Sequence, residues 1–394
     1  MKNKLQFWYS KPGIMKKVCI LFLSLTYTLA AGYSQIVTNE TPFSLQNKEV
    51  LDIPEIVLPQ FDIKQELWND SVYYSKNSNK LYKFAKVFEI QIHSDTDGIW
   101  HSLPDGGKLW MLSLVSKGAY SINFTFSHFS IPTGAKLWVY NSNKNAFLGA
   151  ITSIQNREDG ILAVSPIPGD KITIEYYQPA NSGFEAWFSI STVGHDYTNA
   201  LFASKKDGQF GQSGNCNVDI QCSAGTNWQV QKKAVARIIV NNSLLGSGTL
   251  INNTYQNAIP YLLTANHVIR YQSTASNSVF FFNYESPSCD GPDGYVNQSI
   301  SGCTLLSTKY DATGKLDFSL VQLSVKVPLS YNPYFSGWNR SNSPNGPFVC
   351  IHHPSGDVKK ISGSNSTLVT EGFMEFDNGS CWKVADWNTG TTEG

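Results

Sequence analysis

The sequence lacks an excess of charge of either sign. Thirty Lys and Arg balance thirty Asp and Glu, for a formal net charge of zero. A general nucleic-acid binder needs a basic patch or stripe, so no nucleic-acid partner is expected. Charged residues are scarce altogether, at 15% of the chain. Apolar runs are also short. None approaches the ~20 residues that a membrane-spanning helix needs, so no stable membrane span is expected. Helical periodicity is weak throughout, and neither an internal repeat nor a low-complexity tract is visible. The first 200 residues hold one cysteine, Cys19. What is present instead is aromatic side chains, at 13%, with many Asn, Ser, Thr and Gly. That is the composition of a secreted, β-rich globular protein rather than a disordered one. A length of 394 residues is too long for one small domain and comfortable for two.

The N-terminus reads as an export signal. Met15-Lys16-Lys17 is followed by an apolar run, Val18 to Leu23, and then by small residues from Ser24 to Ala31. A basic start, a short apolar core and a small-residue tail describe a secretory signal peptide over residues 1–34. Met15 is an alternative start, and cleavage is expected between Ala31 and Gln35. The protein is therefore expected to be secreted from, or held at the surface of, a bacterial cell. Cys19 leaves with the signal. Cys216, Cys222, Cys289, Cys303, Cys350 and Cys381 remain. Export makes disulfides their default state, and six cysteines allow fifteen pairings. A zinc site needs clustered ligands, and Cys216 and Cys222 have no second cluster to match. No metal and no cofactor are expected.

The remainder divides in two. Residues 35–83 carry Pro42, Pro54 and Pro59 with little periodicity, and read as an irregular pro-region. From residue 84 the pattern sharpens. Tyr120, Ile122, Phe124 and Phe126 alternate with Ser121, Asn123, Thr125 and Ser127, one face dry and one face wet. Turn signals such as Pro104-Asp105-Gly106-Gly107 and Pro168-Gly169-Asp170 punctuate further apolar strands. An antiparallel β-sandwich is expected over 84–192. A linker follows over 193–210, containing Lys205-Lys206. A second strand-rich domain occupies 211–394.

Chemistry is concentrated in that second domain. In Leu262-Leu263-Thr264-Ala265-Asn266-His267, a buried strand ends in small residues with a histidine at its tip. That position suits a general base near neutral pH. Further on, Asp317 opens the apolar strand Phe318 to Leu323. A carboxylate there needs a partner, and a histidine N–H is a good one. Gly246-Ser247-Gly248 lacks the strand-to-helix elbow of a nucleophile motif and reads as a close approach of two backbones. His352 and His353 are adjacent on a strand and point to opposite faces, so they do not grip one metal ion.

Residues 211–394 resemble a bacterial trypsin-like serine protease of the lysyl endopeptidase group. The resemblance rests on Cys216-Asn217-Val218-Asp219-Ile220-Gln221-Cys222, Gly248-Thr249-Leu250-Ile251-Asn252-Asn253, Leu263-Thr264-Ala265-Asn266-His267, Asp317-Phe318-Ser319-Leu320, Gly337-Trp338 and Ile351-His352-His353-Pro354. It implies an all-β protein in which the sandwich precedes a chymotrypsin-like double β-barrel. It implies that His267 is the general base, that Asp317 orients it, and that Cys222 pairs with Cys289. The partner of Cys216 is placed beyond the last residue. A cysteine usual after the catalytic histidine, and its partner upstream, are replaced by Val268 and Gly246. In the family, a segment like Thr391-Thr392-Glu393-Gly394 runs into Gly-Ser-Ser-Gly-Ser-Pro, whose second serine is the nucleophile. The sequence stops at Gly394, so the expectation is a domain truncated before its serine, with an incomplete second barrel. The implied function is a secreted, monomeric serine endopeptidase precursor acting on proteins or peptides, with cleavage after lysine. The rival reading is a non-catalytic secreted protein that binds a glycan or a surface partner, its second domain an inactive protease.

Overall fold

The computed structural model describes residues 40–47, 52–76, 81–201, 213–311, 313, 316–373 and 376–392. The expected signal peptide and the Lys205-Lys206 part of the linker lie outside the described residues. The chain from Gln35 to Gly394 forms one compact unit. Its regular structure is mostly strands with few helices, as expected for the all-β class.

Two sheets face each other in the first half. One runs Glu55–Val57, Lys108–Val115, Lys171–Gln178, Lys136–Asn141, Phe147–Ile151, with Ile99–Ser102 also bonded to Lys108–Val115. The other runs Ala85–His93, Trp187–Asp196, Ser121–Ser130, Leu162–Pro168. Trp110, Leu112, Ile172 and Ile174 from the first sheet, and Phe124, Phe126, Phe188 and Ile190 from the second, belong to one apolar core. Every pairing is antiparallel except Glu55–Val57, which lies parallel to Ser113–Val115. The last strand runs through Asp196, beyond the expected boundary at 192. The buried Asp196 carboxylate stops it by accepting the amides of Thr198 and Asn199, each at 2.9 Å.

The segment 35–83 is not irregular throughout, because Ile63–Lys76 is a helix. Asp62 starts it, accepting the amides of Lys64 and Gln65 at 2.9 and 3.1 Å. None of its residues is fully buried, which is why no apolar stripe marks it in the sequence.

The wet face expected for the 120–127 strand is not wet. Ser121, Asn123 and Thr125 are buried, like Ile122, Phe124 and Phe126 between them. The second half of the chain covers Asn123 and Thr125, while Ser121 donates to the buried Asp196 at 2.9 Å. Asn242 donates to Thr125 and Thr192 Oγ1 at 2.8 and 2.9 Å, and Thr125 donates to Asn277 at 2.6 Å. Further along the same seam, Ser276 donates to Asp159 at 2.6 Å, and Ser301 to the Ala163 carbonyl at 2.7 Å. The two halves are joined by these small polar side chains and by an apolar patch, in which Phe84, Ala85, Ala163, Ala200 and Leu201 pack with Ile239, Leu245, Val279 and Phe281.

In the second half, one antiparallel sheet runs Ser299–Ser301, Ser278–Phe282, Val235–Val240, Leu244–Ile251, Tyr261–Thr264, Leu316–Leu323, Cys303–Asp311. Its first and last strands are the two halves of a single segment, bent at Gly302. The sheet therefore curls until one segment closes both ends, a barrel around Ile238, Leu250, Leu262, Phe280 and Val321. Gly302 sits at φ +70°, and a Cβ there would lie 1.7 Å from an Arg157 guanidinium nitrogen. Glycine adopts that φ without strain, and a side chain there would also have to displace the Arg157 guanidinium. A three-stranded sheet, Val218–Asp219, Lys360–Ser364, Phe348–His352, and the hairpin Val369–Phe373 with Phe376–Lys383 follow.

His195 supplies a stability prediction. Its ring is buried, with Nδ1 on Ser116 Oγ at 2.7 Å, Nε2 without a partner, and the Phe61 ring edge-on at 4.8 Å. Burial pulls its pKa down to about 4, against a smaller upward pull from Asp170. The unfolded chain then binds more protons between about pH 6.5 and 4, so this group removes stability as pH falls through that window. Asp196 acts oppositely, its carboxyl raised by burial to about 6. The readout is therefore the difference from His195→Gln. Wild type should lose roughly 3 kcal/mol more than the variant between pH 7 and 4, measured by urea unfolding. Parallel profiles would show that the ring is hydrated.

Candidate active site

The barrel places His267 and Asp317 against each other through strand register. Tyr261–Thr264 pairs antiparallel with Leu316–Leu323, with Thr264 opposite Ser319. The chain continues from Thr264 into a tight turn, in which Val268 and Ile269 donate to the Ala265 carbonyl at 3.1 and 3.2 Å. Two positions before Ser319, Asp317 points to the same side of its strand and meets that turn. Its Oδ2 lies 2.7 Å from His267 Nδ1, and its Oδ1 accepts the His267 amide at 3.1 Å. The carboxylate therefore fixes both the backbone and the ring. An ionised carboxylate only accepts, so Nδ1 carries the proton and Nε2 is the nitrogen left for proton exchange. The His267 side chain is 49% exposed and that of Asp317 22%, so the pair stands at an open edge.

The turn is braced from beneath. Buried Ser319 donates to the Ile269 carbonyl at 2.6 Å, and Asn266 donates to Thr308 at 2.8 Å. Gly248 admits Leu262, whose Cδ2 would lie 2.5 Å from a Cβ there. Ser247 accepts the His353 amide at 3.0 Å, which is a structural role. Val268 and Gly246 are neighbours: a Cβ on Gly246 would lie 2.9 Å from Val268 Cγ1.

Cys222 and Cys289 form a disulfide. Cys216 is exposed, while Cys303, Cys350 and Cys381 are thiols. Cys303 donates to the Ala275 carbonyl at 3.4 Å, and burial pushes its thiol up to about 12, which makes it inert near neutral pH. His353 is buried, its Nδ1 2.9 Å from the Asp357 carbonyl, and burial holds its pKa far below the usual value. Beside it, the Arg237 guanidinium lies 3.6 Å over the Tyr284 ring and donates to the Gly356 carbonyl at 3.3 Å. Lys359 is also fully buried, donating to the Lys232 carbonyl at 2.8 Å, and burial lowers its pKa to about 8. These groups pin 353–359 from inside and do not reach the His267 pair. Among the described residues, the one His, Cys, Asp and Glu group spaced to hold a metal is Cys222, Cys289 and Asp290. Its two sulfurs are bonded to each other, which leaves too few donors.

Sequence reasoning missed the neighbours of His267. A cavity of about 560 Å³ beside its ring is walled by Glu66, Asp70, Tyr73 and Tyr74 of the helix Ile63–Lys76 and by Lys83 and Leu244. Asp62 ahead of Ile63 was the signal that could have placed this helix. Nothing local in the sequence says where it packs.

Residues 210–394 match the family described as lysyl endopeptidase, C-terminal domain. A lysyl endopeptidase of Pseudomonas aeruginosa is 28% identical over 309 residues. That match covers 75% of this chain, so it reaches well into the first half. It covers 65% of the relative, a little under two thirds of its length. Both findings support the lysyl endopeptidase group as the one this chain resembles. No helix among the described residues is long and apolar enough to cross a membrane.

Proposed function

We propose that this chain, whose second half matches the lysyl endopeptidase C-terminal domain, is the precursor of a secreted serine endopeptidase. The observation that carries the reading is the His267–Asp317 pair, bonded at 2.7 Å through the ring and 3.1 Å through the backbone. The nucleophile in this reading is a serine of the complete gene product that follows Gly394. In this reading His267 Nε2 takes the serine proton as Oγ attacks the scissile carbonyl, and later delivers it to the leaving amine. Asp317 holds the tautomer and stabilises the imidazolium. Cleavage after lysine follows the name of the relative. The sandwich acts as a pro-domain or folding aid. Maturation then falls near Gly211 or after Lys205 or Lys206.

The test is a serine-directed fluorophosphonate on the complete gene product. Stoichiometric labelling at one serine, with loss of lysyl-peptide hydrolysis, is expected. Undiminished hydrolysis after labelling sinks the reading.

One observation favours a binding role for the first half as well. A groove of about 600 Å³ on the sandwich surface is walled by Trp187, His93, His128, Ser127 and Ser189. Trp187 is 44% exposed, with the His128 ring 4.6 Å from its own. An aromatic face ringed by hydrogen-bonding groups suits a sugar ring. Calorimetric titration with soluble oligosaccharides should give binding that Trp187→Ala abolishes; no heat with any of them removes the role.

A further inference from the structure

The strand Leu244–Ile251 is only partly covered on the side of His267. Tyr261–Thr264 pairs with its residues 249–251 and then turns away into the loop that carries His267. The Ser247 carbonyl still accepts Thr264 Oγ1 at 2.8 Å, and residues 244–246 on that side are left as an open edge, which is a template for any extended chain. The N-terminal segment fills it. Tyr82 and Lys83 pair antiparallel with Leu245 and Leu244, and the Phe84 amide donates to the Ser243 carbonyl at 2.9 Å. Leu81 reaches the Gly246–Val268 contact next to His267, its Cδ2 3.7 Å from the Cβ position of Gly246.

The helix Ile63–Lys76 fastens this added strand. Tyr74 Oη accepts the Lys83 amide at 2.7 Å and donates to the Leu81 carbonyl at 3.0 Å. Lys83 Nζ bonds Glu66 at 2.6 Å and Asp70 at 3.4 Å, and Lys86 bonds Glu66 at 3.1 Å. Tyr197 donates to the other Asp70 oxygen. The two carboxylates are only 15% and 16% exposed, so this is a shielded network, unlike an isolated surface pair. Burial pulls the Glu66 carboxyl upward, and the hydrogen bonds from Lys83 and Lys86 outweigh it, leaving its pKa below the usual value.

We propose that residues 81–83 occupy, in cis, a β-addition site for extended polypeptide beside His267, and that Glu66 and Asp70 latch them there through Lys83. The ligand class is an extended peptide backbone, recognised by main-chain hydrogen bonds at residues 243–245. The meaning of this site for catalysis rests on the protease reading: while the latch is closed, a polypeptide cannot lie along this edge next to the general base.

The test uses the full chain carrying E66Q and D70N together, with a fluorescein-labelled peptide of residues 81–86 as probe. In wild type the amides of residues 81–84 and 244–245 should be protected from hydrogen exchange, and the peptide should not bind. In the double variant those amides should exchange at least about tenfold faster, while residues 235–240 keep their protection. The peptide should then bind at least about tenfold more tightly than to wild type, and a scrambled peptide should not. Tyr74→Phe, which removes one fastening hydroxyl, should move both readouts in the same direction and guards against misfolding of the charge variant. Unchanged exchange in both variants overturns the latch. Faster exchange without peptide capture overturns the β-addition site. A complete gene product that opens and captures the peptide, yet cleaves no lysyl peptide, defeats the protease reading and leaves this one standing.

Discussion

His267→Ala in the complete gene product is expected to lower turnover of a lysyl peptide by about four to six orders of magnitude, with KM little changed. The reasoning starts from proton bookkeeping. A serine hydroxyl is a poor nucleophile at neutral pH, and the imidazole is the group placed to receive its proton. Alanine leaves the strand register, the turn at Ala265 and the braces from Ser319 and Asn266 in place. Ground-state binding should survive while the chemical step is lost. Asp317→Asn should cost about four orders of magnitude by a different route. The amide can offer its N–H to the ring, which favours the tautomer with the proton on Nε2, the wrong nitrogen for a base. The two losses should not add, because the residues act as one unit. Single-turnover and steady-state kinetics on the two single variants and the double variant check this. Retention of most activity in His267→Ala refutes the assignment, whereas additive losses would show that Asp317 works independently of the ring.

The pair itself was legible in the sequence for a local reason. A buried strand ending in Thr264-Ala265-Asn266-His267, and a second strand opened by Asp317, are each readable from a few residues. What brings them to 2.7 Å is register, with Thr264 opposite Ser319. The all-β class was legible because alternation and turn signals recur. The fate of Asn123 and Thr125 was not. Period-two alternation reports one dry face, and it cannot distinguish water from a partner whose surface is also polar, here Asn242 and Asn277. The helix Ile63–Lys76 escaped notice because it buries no residue fully, so its sequence carries no stripe. Its importance lies in long-range contacts between Lys83, Glu66 and Asp70, and in a two-residue strand too short to leave a pattern. Sequence reading thus anticipated a contact between side chains at the ends of two strands, His267 and Asp317, and failed where two surfaces meet.

Replacing Cys222 and Cys289 together by serine is expected to destabilise the chain by roughly 4 kcal/mol under non-reducing conditions. The bond closes a loop with a sequence separation of 67. That loop contains the strands Val235–Val240, Leu244–Ile251, Tyr261–Thr264 and Ser278–Phe282 and the turn bearing His267. A cross-link stabilises by restricting the unfolded chain, and a loop of this size restricts it strongly. The alternative is that the bond only tethers a local flap. Residues 213–222 are otherwise held by the pairing of Val218 and Asp219 with Ile361 and Lys360, by the Ile220 amide on the Lys359 carbonyl at 3.2 Å, and by Ser213 on Asp357, contacts that the barrel strands do not supply. Glu285 argues against a purely local effect. It lies on the loop leading to Cys289, 2.7 Å from Lys232 and 3.7 Å from the fully buried Lys359. Loosening that loop leaves Lys359 without its compensating carboxylate, a buried charge whose isolation is costly. Urea unfolding and hydrogen exchange together separate the cases. A lower midpoint, with faster exchange across the barrel strands as well as at residues 213–222, is the expected result. An unchanged midpoint, with exchange raised only at residues 213–222, would show that the barrel and its His267 turn stand without the cross-link.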